Sequence, residues 1–525
     1  MKEQNIPIGV ADFNSVRSLN HYYVDKTSFI ERMFTRGKYY FLSRPRRFGK
    51  SLLLDTMLEL FEGNEQLFKG LHIHGNWNWN IQYPVIRFSF NADYSKPGIL
   101  EADVKYQLSQ FEAIYGVGDD AIAPASLYEP NRLANLLYHL HHKTGQQVAV
   151  LIDEYDKPIL DAIETPELAI ENRNYLRGLY GVIKGTERHI RFAFLTGITM
   201  FNKVSLFSAL NNLNDISLNP HYSSICGYTE FDLKEVFAPQ IKGLDIEQIS
   251  HWYNGYSWQG EEKVYNPWAI LNLFESRKFK PHWSITGMPS FLYKVMMERR
   301  FTPLDVNNLK VEENFISTFD VGSISAEALL FQSGYLTIIG ESQDRAETVY
   351  ELDFPNYEVR SSLNAGYLQH LFGTDKNLPP QTKHLFTTLK QRDFEEFQIN
   401  IHTLFAEIPH EVHNHTDMAN YEGWYCSVLH ACLWDVAVKN ELRAQESSSR
   451  GRSDLILVTN CQVFVIECKM LGEGEPEQRA DEAIAQIKDR GYADKYRDGI
   501  NAVYLIGMVF DEKLRNLSML KIETG

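Results

Sequence analysis

The sequence predicts an α/β fold with more than one domain, and three observations support this prediction. Apolar runs typical of buried strands alternate with helical stretches between Tyr39 and about Phe194, which favours a parallel sheet covered by helices. The chain has 525 residues, too many for one hydrophobic core, because domains of about 100 to 200 residues are usual. The polar segment 373–380 ends in two prolines and is typical of a linker.

We therefore expect three domains: an α/β domain over residues 1–227, a mainly helical middle domain over 228–372, and a smaller α/β domain over 381–525. In the first domain we expect strands at 38–43, 85–90, 148–152 and 191–195, with a helix at 51–61. In the last domain, helices precede a pair of strands, a further helix and one final strand.

Composition excludes several classes of protein. No apolar run approaches the roughly 18 to 20 residues needed to span a bilayer, and the N-terminus lacks a secretory signal, so we expect a cytoplasmic protein without membrane contact. Five cysteines, an odd number without a C-x-x-C pair, indicate reduced thiols. The net charge of -16 excludes a surface that is basic all over, so any contact with nucleic acid must be local.

The segment Arg44–Ser51, with the sequence RPRRFGKS, lies between an apolar run and a helical stretch. A P-loop binds phosphates through backbone N–H groups and a helix N-terminus, with a lysine on the terminal phosphates and a hydroxyl on Mg²⁺. Arg44 occupies the position of the usual first glycine, and the alternative is a basic loop that caps a helix. We expect nucleotide contacts from Arg44, Arg47, Phe48, Gly49, Lys50 and Ser51.

A second segment strengthens the prediction of a nucleotide site. The apolar run 148–152 ends in two consecutive carboxylates, Asp153 and Glu154. In a P-loop enzyme the first acid holds Mg²⁺ together with the loop hydroxyl, here Ser51, and the second activates the attacking water. Thr196, at the end of the next strand, is expected to sense the γ-phosphate. The alternative is a solvated strand end. The cofactors predicted here are ATP and Mg²⁺.

Near the C-terminus, two β-type runs are separated by Asn460 and Cys461. If these two residues form a tight turn, Asp454 lies directly opposite Glu467, and Lys469 shares their face because side chains alternate along a strand. A one-residue slip would separate the two acids.

Two carboxylates about 5 Å apart across strands repel each other unless a cation lies between them. Asp454 and Glu467 are therefore expected to bind Mg²⁺ or Mn²⁺, which would polarise a scissile phosphate, while Lys469 orients the attacking water or stabilises the developing charge. The alternative is an exposed strand face with an ordinary acid–lysine pair.

Five segments of the chain resemble the bacterial AAA-ATPase-like family. They are Tyr23–Thr27, Arg44–Ser51, Leu151–Asp156, Trp252–Tyr256 and Tyr265–Trp268. The resemblance implies that Arg44 is the family's own variant of the loop. Members of that family commonly carry a C-terminal domain of the PD-(D/E)xK nuclease superfamily.

The C-terminal segment is similar to that superfamily, whose core runs helix, three strands, helix, strand. The similarity implies that Asp454 is the first acid and that Glu467 and Lys469 are the E-x-K pair. It further implies that Glu422 is the acid of the first helix, expected over 422–436, and that Gln486 is the glutamine of the following helix. Residues 443–446 would supply the first strand. No proline precedes Asp454, a position that varies in this superfamily.

The sequence thus predicts an ATP-binding, metal-dependent nuclease acting on nucleic acid, DNA favoured, with ATP regulating its activity. Two alternatives are a nucleotide-switched module that binds nucleic acid or protein without cleavage, and an ATPase with a scaffolding C-terminal domain. The sequence does not decide whether the substrate is DNA or RNA, whether cleavage is specific, or whether ATP is hydrolysed or only bound. It also leaves open the biological pathway and the oligomeric state, and a homo-oligomer is possible. His410, His413 and His415 could bind zinc, but a solvated loop is the preferred interpretation.

Overall fold

The structure is a computed structural model that describes residues 4–117, 129–200, 210, 212–258, 262–283, 290–307, 309–316, 325–344, 347–373, 378–409, 422–434, 441–444, 447–448, 451–452, 454–459, 461–497 and 501–525. The chain forms two compact units. The first comprises Met1–Thr286 with Lys310–Glu358, and the second Gly287–Leu309 with Val359–Gly525. Residues 228–372 are divided between the units, and the domain boundaries expected from the sequence stay a prediction.

A parallel sheet forms the core of the first unit. Its strands are β1 (Tyr39–Ser43), β2 (Val85–Ser89), β3 (Val148–Asp153), β4 (Ile190–Gly197) and β5 (Asn214–Asp215), in the order β2-β3-β4-β1-β5. All four pairings are parallel, which confirms the predicted sheet. β3 is buried at every position, as expected of a strand covered on both faces. Because parallel strands end at one edge, the ends of β1 and β4 lie side by side, with Ser43 opposite Gly197.

In the described part of residues 4–200, helices alternate along the chain with the strands of this sheet. They are α1 (Phe13–Ser18), α2 (Thr27–Arg36), α3 (Lys50–Phe61), α4 (Ile99–Ile114), α5 (Glu129–Thr144), α6 (Lys157–Leu160) and α7 (Pro166–Gly185). Short 3-10 helices lie at Glu65–Phe68, His72–Gly75, Glu187–His189 and Pro220–Tyr222.

The segment that follows, residues 228–372, is mainly helical, as the sequence predicts. Its helices are α8 (Glu230–Val236), α9 (Ala238–Ile241), α10 (Ile246–Tyr253), α11 (Pro267–Ser276), α12 (Ser290–Glu298), α13 (Glu313–Ile316), α14 (Ala326–Ser333) and α15 (Tyr357–Phe372), with a 3-10 helix at Pro303–Val306. The segment also contains a three-stranded sheet, β6-β8-β7, from β6 (Leu309–Glu312), β7 (Thr337–Asp344) and β8 (Glu347–Asp353).

The C-terminal part of the second unit is a mixed sheet with helices. The helices are α16 (Gln381–Gln391), α17 (Phe394–Ala406), α18 (Glu422–Trp434) and α19 (Pro476–Asp489), with a 3-10 helix at Asp494–Tyr496. The strands are β9 (Glu441–Ala444), β10 (Ser447–Ser448), β11 (Gly451–Arg452), β12 (Leu455–Val458), β13 (Gln462–Met470), β14 (Ala502–Asp511) and β15 (Asn516–Thr524).

Five of these strands form one sheet in the order β15-β14-β13-β12-β9, and β10 pairs with β11. β13 and β14 are parallel, whereas the other neighbours are antiparallel. The expectation of one final strand was wrong, because the chain turns after β14 and β15 pairs back along it from Asn516 to Thr524. β15 pairs with β14 as a hairpin closed by a short turn, but its mostly half-buried positions give only a weak local signal for a strand.

No helix in the described part of the chain has the length and apolar character required to cross a membrane.

Arg44, directly after β1, is completely buried. Its guanidinium donates hydrogen bonds to the carbonyl oxygens of Ser43 (2.8 Å), Ser217 (2.8 Å) and Tyr222 (3.2 Å). The guanidinium carbon also lies 3.9 Å from the centroid of the Trp258 ring. Burial lowers the pKa of Arg44 to about 10, so the side chain stays charged at neutral pH. The arginine therefore fixes the start of the loop after β1 to neighbouring parts of the chain.

We expect Arg44→Ala to lower the free energy of unfolding by roughly 3 kcal/mol, because buried carbonyl groups left without a donor cost about 1 to 3 kcal/mol. Urea denaturation of the full chain measures this change. The matched control is Arg46→Ala, whose exposed side chain should contribute less than about 0.5 kcal/mol. Equal stability of the two variants would show that the buried guanidinium does not stabilise the loop.

Candidate functional sites

The loop between β1 and α3 brings backbone and side-chain donors together. Gly49 adopts a φ of 93°, which favours glycine, and precedes Lys50 at the first position of the helix. Arg47 is the other loop residue in the left-handed region, with a φ of 67°. Arg44 has no positive φ. The backbone at position 44 therefore does not require the glycine that the usual P-loop motif has there.

Lys50 lies inside the loop rather than in solvent. It is 7% exposed, and its ammonium donates hydrogen bonds to the carbonyl oxygens of Arg44 (2.8 Å) and Pro45 (2.9 Å). Burial lowers the pKa of Lys50, while the nearby acids Asp153 and Glu154 raise it. The loop thus carries a cation whose geometry is fixed by the backbone around it.

The expected acids lie at the carboxyl end of β3. Asp153 is buried and its Oδ1 accepts a hydrogen bond from Oγ1 of Thr196, at 2.9 Å. Glu154 follows with a φ of 53°. Burial raises the pKa of Glu154, and Lys50 opposes this effect. The structure therefore joins Asp153 to Thr196 by a direct contact and leaves Glu154 partly exposed.

A cavity of about 460 Å³ opens beside this loop, entirely within the first unit. Six of its lining residues were expected to contact a nucleotide or the attacking water: Arg47, Phe48, Gly49, Lys50, Ser51 and Glu154. Asp153, Thr196 and Arg44 do not line it. The volume lies in the range of about 300 to 1,000 Å³ that is usual for small-molecule sites.

The cavity is also lined by Trp268 and by Pro7, Gly9, Val10 and Ala11, for which no specific role was predicted. The guanidinium carbon of Arg47 lies 3.7 Å from the centroid of the Trp268 ring. Asn266 caps α11 by accepting a hydrogen bond from the N–H of Ala269, which fixes the helix start that carries Trp268. The available sequence signal was the Tyr265–Trp268 segment that resembles the AAA-ATPase-like family.

Asp156 ends the segment Leu151–Asp156, which also resembles the AAA-ATPase-like family, and its contacts are structural. It is buried, and its Oδ2 accepts hydrogen bonds from the N–H groups of Ile198 (3.0 Å) and Thr199 (2.6 Å). Gly197 must be small, since a Cβ there would lie 2.5 Å from Oδ1 of Asp156. These contacts hold the chain after β4 against the end of β3.

In the second unit, the pairing of β12 with β13 has the register expected from the sequence. Leu455 lies opposite Ile466, and Val458 lies opposite Val463. The N–H of Thr459 donates to the carbonyl oxygen of Gln462 at 2.8 Å. Asn460, one half of the expected turn, lies outside the described residues.

Asp454 directly precedes β12, and its Oδ2 accepts a hydrogen bond from the N–H of Cys468 at 2.8 Å. The ammonium of Lys469 lies 3.6 Å from Oε1 of Glu467 and 3.7 Å from Oε1 of Glu422. The structure therefore brings together the two strand acids, the lysine and the acid of α18. We call Glu422, Asp454, Glu467 and Lys469 the acid–lysine cluster.

Gln486 of α19 reaches the same cluster, because its amide donates a hydrogen bond to Oε1 of Glu467. Gly507 of β14 permits this approach, since a Cβ there would lie 2.8 Å from the carbonyl oxygen of Ala480. α18 is anchored on the same sheet, where the ring of Tyr425 stacks on Phe510 with centroids 4.3 Å apart.

The electrostatics of the cluster favour a bound cation. Burial raises the pKa of Glu467, and the neighbouring Asp454 raises it further. Burial also raises the pKa of Asp454. Burial alone would lower the pKa of Lys469, but Glu422, Glu467 and Asp454 outweigh it and raise that pKa. Oε2 of Glu467 is buried and has no hydrogen-bond partner among the described residues.

Two expectations concern residues only partly described. The first strand, expected at 443–446, is β9 (Glu441–Ala444), and residues 445–446 lie outside the described part. The helix expected over 422–436 is α18, described as far as Trp434. His410, His413 and His415 also lie outside the described residues, so the choice between a zinc site and a solvated loop stays a prediction.

Comparison with known proteins gives matches to both parts of the chain. A family model described as a predicted AAA-ATPase matches residues 7–207, and a model of the PD-(D/E)XK nuclease superfamily matches residues 420–519. A curated protein of Azotobacter chroococcum mcd 1, described as an uncharacterized protein in the vnfD 5′ region, is 42% identical over 528 residues, which covers 100% of both chains.

Among solved structures, the ORC1 protein of Aeropyrum pernix, determined in complex with DNA, is 11% identical. The match covers 65% of this chain and 91% of that chain, with a TM-score of 0.25. A likeness of that strength supports no functional assignment. The chain belongs to the family of predicted AAA-ATPases that carry a C-terminal domain of the PD-(D/E)XK nuclease superfamily.

Proposed function

We propose that this protein binds ATP in the cavity beside the loop Arg44–Ser51 and hydrolyses phosphodiester bonds of nucleic acid at the acid–lysine cluster. Cleavage depends on Mg²⁺ or Mn²⁺, DNA is the favoured substrate, and ATP binding or hydrolysis regulates the cleavage. The proposal goes beyond family membership, which supports nucleotide binding and nuclease chemistry in general terms.

One observation carries the nuclease proposal: the ammonium of Lys469 lies between carboxylates of Glu467 and Glu422, close to Asp454, and one oxygen of these side chains is buried without a partner among the described residues. The oxygen is Oε2 of Glu467, whose side chain is 2% exposed. A buried oxygen without a hydrogen-bond donor costs about 1 to 3 kcal/mol or more, and a cation would remove that cost. Hard divalent ions prefer such carboxylate oxygens.

The residues present fit a magnesium or manganese ion. Asp454 and Glu467 would hold it, and Gln486 orients Glu467 by binding its other oxygen. When bound, such an ion polarises a phosphate and lowers the pKa of a coordinated water. Lys469 is charged and lies between two carboxylates, from where its ammonium can bind the phosphate or orient the attacking water. Glu422 keeps Lys469 in place.

The residues of the first unit fit a nucleotide. The α3 N-terminus, Gly49 and Lys50 provide donors for phosphate groups, and the hydroxyl of Ser51 is a ligand for Mg²⁺. The ammonium of Lys50 can exchange its carbonyl partners for phosphate oxygens. Glu154 lines the cavity and is the candidate to activate a water for hydrolysis. We assign Asp153, held by Thr196, to the Mg²⁺ site through water, because its side chain does not line the cavity.

Charge limits how nucleic acid can bind. The chain carries a net charge of -16, so phosphate contacts must be confined to a small surface and to the metal at the acid–lysine cluster. Few phosphate contacts imply a shallow dependence of affinity on salt. This property separates the proposed nuclease from a protein that binds DNA through an extended basic surface.

We expect Lys50→Ala to weaken ATP binding by at least about tenfold, because loss of a hydrogen bond from a charged donor costs roughly 1.5 to 3 kcal/mol. Isothermal titration calorimetry with ATP and Mg²⁺ measures the affinity, and phosphate release measures hydrolysis. The matched control is Lys38→Ala, since Lys38 binds the carbonyl oxygen of Glu187 at the opposite end of β1. Unchanged ATP affinity and hydrolysis in Lys50→Ala would refute the nucleotide site.

We expect Asp454→Asn, Glu467→Gln and Lys469→Met each to reduce cleavage by at least about a hundredfold, the usual loss when one electrostatic contact to a transition state is removed. The assay uses supercoiled, linear and single-stranded DNA and RNA, with Mg²⁺ or Mn²⁺, with and without ATP. Chelation of the divalent ion should stop cleavage by the parent.

The control for this series is Lys521→Ala, which removes a surface ion pair between Lys521 of β15 and Asp481 of α19. It should cut as the parent does. The nuclease proposal fails if the parent cuts none of the substrates or if the three variants cut as well as the parent. Tight nucleic-acid binding without cleavage would favour the binding-module alternative.

A further inference from the structure

Two buried thiols lie beside Asp454, one member of the acid–lysine cluster. Cys426 of α18 is 2% exposed, and Cys468 of β13 is 0% exposed. The two sulfur atoms and a carboxylate oxygen of Asp454 all lie within 4.8 Å of one another. Cys468 lies between Glu467 and Lys469 in β13, so its side chain projects from the opposite face of the strand.

We propose that Cys426, Cys468 and Asp454 form a second metal site, which binds a thiophilic divalent ion such as Zn²⁺. Zinc bonds to sulfur at about 2.3 Å and to carboxylate oxygen at about 2.0 to 2.2 Å, so tetrahedral ligand atoms lie roughly 3.5 Å apart. The three ligand atoms are close enough to reach this arrangement through small movements of their side chains.

The ligand set favours zinc over magnesium. Thiolates are soft ligands that select zinc and related ions, whereas magnesium prefers an all-oxygen shell. Binding would form two zinc–sulfur bonds and one zinc–oxygen bond, and the two thiol protons would pass to solvent. Three protein ligands leave the fourth position to water.

Access and rigidity also suit an ion. Asp454 is partly exposed, so an ion can enter from its side and then meet the two buried sulfur atoms. The ligands come from three separate segments. The backbone of two of them is already fixed, because the N–H of Cys468 binds Oδ2 of Asp454 at 2.8 Å. A site on packed helix and strand backbones needs little ordering to bind.

Asp454 belongs to both the thiol site and the acid–lysine cluster. A zinc ion on the thiols would therefore compete for the carboxylate that the magnesium ion needs. This consequence, inhibition of cleavage by zinc, rests on the proposed nuclease function. Binding of the ion itself does not depend on the nuclease function, and a metal titration measures this binding without any cleavage assay.

The test titrates Co²⁺ and Cd²⁺ into the full chain, kept reduced with a phosphine and freed of metals. Coordination by thiolates gives a charge-transfer absorption band, which we expect to saturate at one ion per chain. Cys426→Ser and Cys468→Ser should each weaken binding by about tenfold or more and reduce the band. Cys461→Ser, which alters the exposed cysteine of the same unit, is the matched control and should bind as the parent does.

Asp454→Asn provides a test that does not alter the thiols. It should keep the charge-transfer band and lose affinity by about tenfold, which decides the question if the cysteine variants do not fold. Thermal denaturation with and without Zn²⁺ reports folding, and chains with both thiols should gain more stability from zinc than chains in which a thiol is replaced. A reduced, folded parent without the band, or a band that persists after both thiols are replaced, would overturn the proposal.

Discussion

Antiparallel pairing between β12 and β13 sets the positions of the three strand groups of the acid–lysine cluster, Asp454, Glu467 and Lys469. Leu455 opposite Ile466 places Asp454 beside the strand that carries Glu467 and Lys469. The hydrogen bond from the N–H of Cys468 to Asp454 then fixes the first acid against the second strand. A shift of one residue would turn the strand acids to opposite faces, because side chains alternate along a strand. Helices α18 and α19 then bring Glu422 and Gln486 to the strand residues that this register has positioned.

The carboxylates of the acid–lysine cluster lie close together although they repel each other. Three carboxylates and one ammonium leave an excess of negative charge when all are ionised, and burial makes that charge costly. The raised pKa of Glu467 reflects this cost. The same burial excludes competing water and leaves Oε2 of Glu467 unpartnered among the described residues. A site that is unfavourable by itself and becomes favourable with a cation is what metal-dependent chemistry requires. Under the proposed function, it would explain how an acidic chain acts on a polyanion.

In the first unit, the loop between β1 and α3 holds two buried cationic side chains by hydrogen bonds to backbone carbonyl oxygens. Lys50 is bound by two backbone carbonyls, and Arg44 is bound by three. Carbonyl oxygens do not neutralise these cations, and under the proposed function the charge of Lys50, which lines the cavity, is available to phosphate. The left-handed residues Arg47 and Gly49 give the loop its curvature, whereas Arg44 contributes an anchor in the protein interior.

The amino-acid sequence by itself determined the features that depend on neighbours along the chain. Apolar periodicity predicted the order strand, loop, helix at β1 and α3, and it placed the two acids at the end of β3. The register of β12 with β13 follows from the same periodicity and from the length of the turn between the two strands. The groups Asp454, Glu467 and Lys469 could therefore be placed together in advance. Glu422 and Gln486 were added only through a family resemblance, since nothing local relates a helix to a distant strand.

Tertiary structure alone decided which side chains from distant segments meet. Three such contacts join residues more than forty positions apart in the chain. They are the contacts that bury Arg44, the contact of Trp268 with Arg47 at the cavity, and the approach of Cys426 to Cys468. Such contacts leave no periodic signal, because the burial of a side chain depends on the packing of whole helices and sheets and not on its sequence neighbours.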